Sequence, residues 1–313
     1  MKDPGELDAC SQERDQKMLN TIKKQLSPKT GALAFIGSYV GTKSSPTKRI
    51  LPMINIPEEL DMEDAINTLK KNGVEKLYLL LNSMGGNVSS SYKIARMIRN
   101  SFEDVTVFVP HIAASGGTLL ALTGNRIVMG DMSNLSPIDV QVIRKGSQVS
   151  VNAMIRSFYN LNEFFKDKHQ SDAPYPWIAM ADKLDPVEFQ EWTDIALSMQ
   201  AHSREILNHE KSSLKGRTEN IVQWLSTGCP THSYSITFRE AQKNLGKDYI
   251  IHCSDTRFSN AWEVMREWFK MYMLEESGSH LIRYVFNSKE ERQEGGKNDQ
   301  RTEGNTKVDK QVL

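Results

Sequence analysis

The chain has 313 residues, 39% of them apolar, and its 39 basic and 39 acidic residues cancel. That length builds one large α/β domain or two modest ones, and the balanced charge gives no electrostatic case for nucleic acid or an anionic membrane surface. Cys10, Cys229 and Cys253 stand far apart with no C-x-x-C pair, which excludes a disulfide framework and a zinc site.

The opening "MKDPGELDACSQERDQ" lacks an apolar signal core. No stretch approaches the ~18 apolar residues that span a bilayer. A reducing, cytoplasmic location is therefore expected, with no stable membrane insertion and no cofactor. Residues 1–30 are polar and read as an arm, either a loose helix or disordered. In "DMEDAINTLKKNG", Met62, Ala65, Ile66 and Leu69 share one helical face, and Gly73 ends the helix. "VEKLYLLLN" is a continuous apolar run, the pattern of a strand covered on both faces. Helical spacing returns through Val88, Tyr92, Ala95 and Ile98; "VTVFVP" is a second strand, "GGTLLALTGN" a short helix and "RIVMG" a third strand. This alternation predicts an α/β fold, a parallel sheet with crossover helices, over a single domain at 31–286.

Residues 148–169 and 186–212 read as two longer amphipathic helices. The second carries Phe189, Trp192, Ile195, Ala196, Met199 and Ile206 on one stripe, which marks a buried face rather than a cofactor box. Together the two stripes bring more apolar surface than one sheet covers, so a homo-oligomer is expected. Thr237 and Glu240 form a capping-box pattern, and Gly246 supplies the stop. From 287 to 313 the chain has almost nothing to bury and reads as a disordered tail.

Two glycine-rich turns occupy equivalent places in successive β-α units: "LNSMGGNVSS" and "HIAASGGTLL". Both fall at the carboxyl ends of parallel strands, where open α/β sheets place their sites. Glycines there let backbone N–H groups face a cavity. Two converging N–H groups would make an oxyanion hole, and Ser115 at the mouth of a helix could attack the carbonyl held in it. The plainer reading of Ser115 is a helix cap or a small packing residue.

The stretches "LLLNSMGGNVSSSYKIARMIR" and "VPHIAASGGTLLALTGNRIVMGDMSNLSPIDVQV" resemble the Clp-protease/crotonase superfamily, above all its serine dehydrogenase proteinase branch, which is related to signal peptide peptidase A. The likeness covers about residues 31–250, with 77–142 its specific part. It implies a spiral of strand-strand-helix repeats, a peptide or protein substrate, Ser115 as nucleophile, and the N–H groups of Gly86 and Gly116 as the oxyanion hole. A bulkier residue at 86 is then expected to cost activity and leave the fold intact.

The serine needs a base, a histidine or a desolvated lysine. The Clp proteolytic subunit carries a histidine where this chain has Pro137, so its triad does not transfer. The same comparison puts His232 near that triad's aspartate loop, which allows a swapped pair, Asp139 on the strand and His232 on the loop. Lys145 and Lys168 stand in the windows where signal peptide peptidase relatives place a lysine, though neither is in that family's lysine motif. His111, four residues before Ser115, is expected at a strand end facing elsewhere. Each candidate also has a bland reading, a turn histidine or a solvated lysine. His169, His202, His209, His252 and His280 show no metal spacing; His202 and His209 are two helical turns apart. The first expectation is a serine peptidase. A crotonase-type acyl-CoA enzyme and an inactive oligomeric scaffold are the alternatives.

Overall fold

A computed structural model of the chain describes residues 4–37, 52–144, 146–167, 185–273 and 280–287. Its centre is a six-stranded sheet in the order β10-β5-β3-β2-β1-β11. The strands are β1 (Thr30–Gly37), β2 (Lys76–Asn82), β3 (Asp104–Val109), β5 (Arg126–Met129), β10 (Ile250–His252) and β11 (His280–Asn287). All are parallel except β11, which closes the edge antiparallel to β1.

Strand periodicity divides the core in two. Leu33, Phe35, Leu77, Leu79, Leu81, Val105, Val107, Ile127 and Met129 point to one face. Helices α2 (Ile56–Lys71), α3 (Val88–Ser101) and α4 (Gly116–Ala121) cover it. Ala32, Ala34, Ile36, Leu80, Phe108, Val128 and Ile251 point to the other face. There they meet Trp262, Met265 and Trp268 of a helix at Ser259–Met273, and Ile22 of α1 (Pro4–Gln25). Burial on both faces explains why the inner strands are continuous apolar runs rather than alternating ones.

After β3 the chain leaves the main sheet, forms the two-residue β4 (Ile112–Ala113) and enters α4. After β5 it again leaves the main sheet and forms β6 (Asn134–Leu135), with the next helix coming only after a further strand pair. β4, β6 and β9 (Ile236–Thr237) make a second, three-stranded sheet, and Ser83, just past β2, bridges to Ala113 at its margin. These are strand-strand-helix repeats, and the small sheet holds the ends of successive units side by side.

The later segments differ from the pattern reading at their ends. Residues expected to open a helix at 148 instead complete β8 (Ser147–Ser150), paired with β7 (Gln141–Arg144). Helix α5 (Val151–Phe165) starts at 151 because Ser150 is its cap, accepting the Ala153 N–H at 3.2 Å. Helix α6 (Pro186–Asn208) stops before 212, where His209 takes an extended conformation. Trp192, Met199 and Ile206 of the stripe are buried, whereas Ile195 is 39% exposed. Beyond α7 (Thr218–Thr227), helix α8 (Phe238–Leu245) runs from Thr237 to Gly246, but its capping box does not form. The Glu240 carboxylate instead accepts the Tyr234 hydroxyl at 3.0 Å. The last helix, Ser259–Met273, is α9. The polar tail lies outside the described residues beyond Asn287.

Candidate active site

The two glycine turns meet. Ser83 N–H donates to Ile112 O (3.0 Å), and Ala114 N–H donates to Ser83 O (2.9 Å), so one turn is stitched along the other. Gly85, at φ +90°, lies flat against the peptide joining Ser115 and Gly116. A Cβ at position 85 would sit 2.6 Å from Ala114 O and 2.8 Å from Gly116 N. Only glycine permits that approach.

Ser115 holds φ +50° and ψ −115°, one of two described non-glycine residues at positive φ. It makes no side-chain cap bond for α4, which it precedes. The helix-cap reading therefore fails, and the backbone is strained where a chemical group would have to be presented. What over-determines the strain is a mesh of hydroxyls. Ser115 N–H donates to Ser136 Oγ at 2.8 Å. Thr118 Oγ1 bridges the carbonyls of Ala113 (2.7 Å) and Ser136 (2.8 Å) and accepts the Ser136 N–H (3.2 Å). Sequence reasoning passed over Ser136 and Thr118, although both stand inside the quoted motif.

Gly86 pairs with Ile54: Ile54 N–H donates to Gly85 O (2.9 Å), and Asn87 N–H donates to Ile54 O (2.7 Å). Strand alternation then turns the Gly86 N–H to the side away from Ile54. The Gly116 N–H is the first of α4, one of the donors a helix leaves free. The Gly86 nitrogen lies 3.5 Å from where a Cβ on Gly116 would stand. Ser91 Oγ, buried and without a hydrogen-bond partner, lies 2.2 Å from the same point.

Three residues past Ser136, Asp139 is buried and uses both carboxylate oxygens. Oδ1 is 2.7 Å from His232 Nδ1, and Oδ2 accepts the Ser150 hydroxyl at 2.7 Å. Because a carboxylate only accepts, His232 Nδ1 donates this hydrogen bond, and Nε2 is the ring nitrogen left facing away from Asp139. The His232 side chain remains 20% exposed. The Ser136–Asp139 segment thus ties the Ser115 backbone to the Asp139–His232 pair. Three residues before His232, burial and then the charges of Glu240 and Asp139 push the Cys229 thiol up to about 11, leaving it protonated and a poor nucleophile.

Of the other candidates, His111 turns elsewhere. His111 stacks on Phe269 of α9, with ring centroids 6.4 Å apart. Lys145 and Lys168 lie outside the described residues. Among the described residues, no group of three or more His, Cys, Asp or Glu is placed to hold a metal ion, and no helix is long and apolar enough to cross a membrane.

The family of ClpP-like SDH-type serine proteinases matches residues 49–168. Both glycine turns, Ser115 and Asp139 fall within that segment, and His232 falls beyond it. Two curated relatives are uncharacterized proteins of Methanocaldococcus jannaschii. One is 32% identical over 83 residues, 26% of this chain and 29% of that protein. The other is 29% identical over 90 residues, 29% of this chain and 30% of that protein. The matched part thus spans less than a third of either relative's length. Among solved structures, a mutant of the 1510-N membrane-bound stomatin-specific protease aligns at 16% identity and TM-score 0.42, covering 64% of this chain and 75% of that one. ClpP1 from Listeria monocytogenes aligns at 14% identity and TM-score 0.41, covering 76% and 95%.

Proposed function

We propose that this chain, of the ClpP-like SDH-type serine proteinase family over residues 49–168, is a serine peptidase with Ser115 as nucleophile, His232 as base and Asp139 as its orienting acid. The observation that carries the reading is the strained Ser115, held through Ser136 to the segment whose Asp139 grips His232. A structural serine has no use for φ +50°, and a surface histidine has no use for a buried carboxylate that is also fixed by Ser150.

In the reaction, Ser115 Oγ attacks the carbonyl carbon of a peptide bond as its proton passes to His232 Nε2. Asp139 stabilises the imidazolium that forms. The carbonyl oxygen becomes an oxyanion between the N–H groups of Gly86 and Gly116. Collapse breaks the C–N bond, and His232 returns the proton to the leaving amine. Water, deprotonated by the same imidazole, then releases the acyl group from Ser115. The free thiols Cys229 and Cys253 suit a reducing compartment. Tyr159, Val187 and Leu197, exposed on α5 and α6, suit contact with another copy of the chain.

A fluorophosphonate probe tests the nucleophile: wild type is expected to be labelled on Ser115, and Ser115→Ala not at all. Equal labelling of both would overturn the reading.

A further inference from the structure

The mechanism above leaves several buried titratable groups unused, and His280 is one of them. His280 opens β11, opposite Gly37 of β1, and its side chain is fully enclosed. The imidazole stacks on Phe35, with ring centroids 4.2 Å apart and 13° between planes. Gly37 leaves it room, since a Cβ there would stand 3.3 Å from Nε2.

Nε2 lies 2.8 Å from Ser83 Oγ, and Ser83 Oγ also accepts the Gly85 N–H at 3.1 Å. Nδ1 has no hydrogen-bond partner and faces Glu58 Oε1 at 4.0 Å. The other Glu58 oxygen accepts the Asn55 N–H at 2.9 Å. Asn55 follows Ile54, which pairs with Gly85 and Asn87. These contacts close a ring: Gly85 to Ser83, to His280, to Glu58, to Asn55, to Ile54 and back to Gly85. Gly85, the neighbour of Gly86 on the turn, is a member of this ring.

The Glu58 carboxylate favours a proton on the nitrogen that faces it, so His280 is the Nδ1–H tautomer. Its Nε2 then accepts from the Ser83 hydroxyl. That leaves the Ser83 oxygen lone pairs directed at Gly85 N–H. Burial depresses the imidazole pKa to about 3, so this arrangement does not change across the physiological range. Enclosing such a polar ring in an apolar core is costly unless each group is used. Gly85 and Gly86 have no side chains of their own to hold them in place.

We propose that His280 is a positioning residue for the oxyanion-binding turn, fixing the direction of the Gly86 N–H through Ser83 and Gly85. The inference rests on the oxyanion role given to Gly86 above. His280 touches no reacting atom in this account; it acts only through the turn.

The test uses His280→Phe, which keeps the stack on Phe35 and removes Nε2, His280→Gln, whose amide replaces the lost polar atom, and Ser83→Ala. Two readouts separate this inference from the reading it rests on. The first is the saturable labelling of Ser115 by a fluorophosphonate probe. His280→Phe and Ser83→Ala are each expected to lower the limiting labelling rate about tenfold, less than the roughly 10²–10³-fold that outright loss of one oxyanion donor costs, with the half-saturating probe concentration unchanged. The double variant is expected to be no slower than the slower single variant, and His280→Gln to recover most of the rate. The second readout is amide hydrogen exchange over residues 83–87, which needs no activity. It is expected to speed up in His280→Phe and Ser83→Ala and to return toward wild type in His280→Gln. Wild-type exchange in His280→Phe overturns the positioning role whether or not Ser115 is labelled. Wild-type labelling rates in a folded His280→Phe overturn it too. Failure of Ser115→Ala to abolish labelling sinks only the nucleophile assignment.

Discussion

His232 belongs to the Asp139 wall of the candidate site and His280 to the Ser83 wall, and the two imidazoles have different surroundings. His232 is on a loop, partly exposed, with its Nδ1 2.7 Å from the Asp139 carboxylate. His280 is on an edge strand, enclosed, with its nearest carboxylate at 4.0 Å and its Nε2 on a serine hydroxyl. Enclosure without a carboxylate in contact favours the neutral ring of His280. The first wall is the one to which the proposed function assigns proton transfer, and the second keeps one hydrogen-bond pattern. What separates the proposed base from the proposed brace is not the residue type but the distance to a carboxylate and to solvent.

The largest effects should come from breaking the proton-transfer wall. His232→Ala is expected to reduce the rate of Ser115 labelling, and of hydrolysis of an activated ester, by about 10⁴-fold or more. Lys145→Ala and Lys168→Ala measured beside it sharpen the comparison. Near-normal turnover in His232→Ala with a dead lysine variant would make the enzyme a Ser-Lys hydrolase. Asp139→Asn should follow closely, with a loss of up to about 10⁴-fold, because an amide can present N–H to Nδ1 and fix the wrong tautomer. Ser150 does not replace the lost carboxylate, as it only donates to it. Asp139→Asn labelling within a few-fold of wild type would remove Asp139 from the mechanism.

The bracing wall should answer to pH through stability instead. The folded His280 pKa is about 3, against ~6.5 in an unfolded chain. Between these values the unfolded chain binds a proton that the folded chain refuses. Stability is therefore whole above pH ~6.5, falls as the pH drops below it, and stops falling from this cause near pH 3. The cost reaches about 3 kcal/mol by pH 4. Urea unfolding of wild type and His280→Phe, at pH 7 and pH 4, isolates it from other groups. The gap between the two proteins should narrow, or reverse in favour of the variant, by that amount at pH 4. A gap that does not change with pH would mean that His280 is not held neutral.

Much of this fold could be read in the chain because burial imposes local patterns. β2, β3 and β5 are covered on both faces and so appear as apolar runs, and α2 ends at a glycine. The turns could be read because close backbone approach at Gly85 and Gly86 demands residues that few other places require. β11 is harder to see. "HLIRYVFN" lies at a sheet edge with most side chains only half buried, and its partner β1 stands about 250 residues earlier. Contacts joining distant segments leave no spacing to read. Asp139 and His232 are 93 residues apart and were paired through a family likeness; Ser83 and His280 are 197 apart. The lack of metal spacing at His280 says nothing about bracing.

The smallest expected effect corrects the idea that a bulkier residue at 86 would spare the fold. A Cβ on Gly86 would fall 2.2 Å from Ile54 N, 2.3 Å from Ile54 O and 2.7 Å from Ile54 Cα. Those are backbone atoms in a strand pairing, and no side-chain rotation clears them. Gly86→Ala must push the 52–55 segment away, undo the Ile54 contacts with Gly85 and Asn87, and open the ring that includes Glu58. Overpacking of this kind costs about 1–3 kcal/mol. At Gly116 the first obstacle is Ser91 Oγ at 2.2 Å, which can rotate, and behind it Ser91 Cβ at 2.9 Å. Gly116→Ala should therefore lose less stability than Gly86→Ala, while both slow the labelling of Ser115. Thermal unfolding of the two variants beside wild type decides the matter. Equal midpoints for Gly86→Ala and wild type would show that Ile54 yields freely, and the bracing wall would then be softer than its contacts imply.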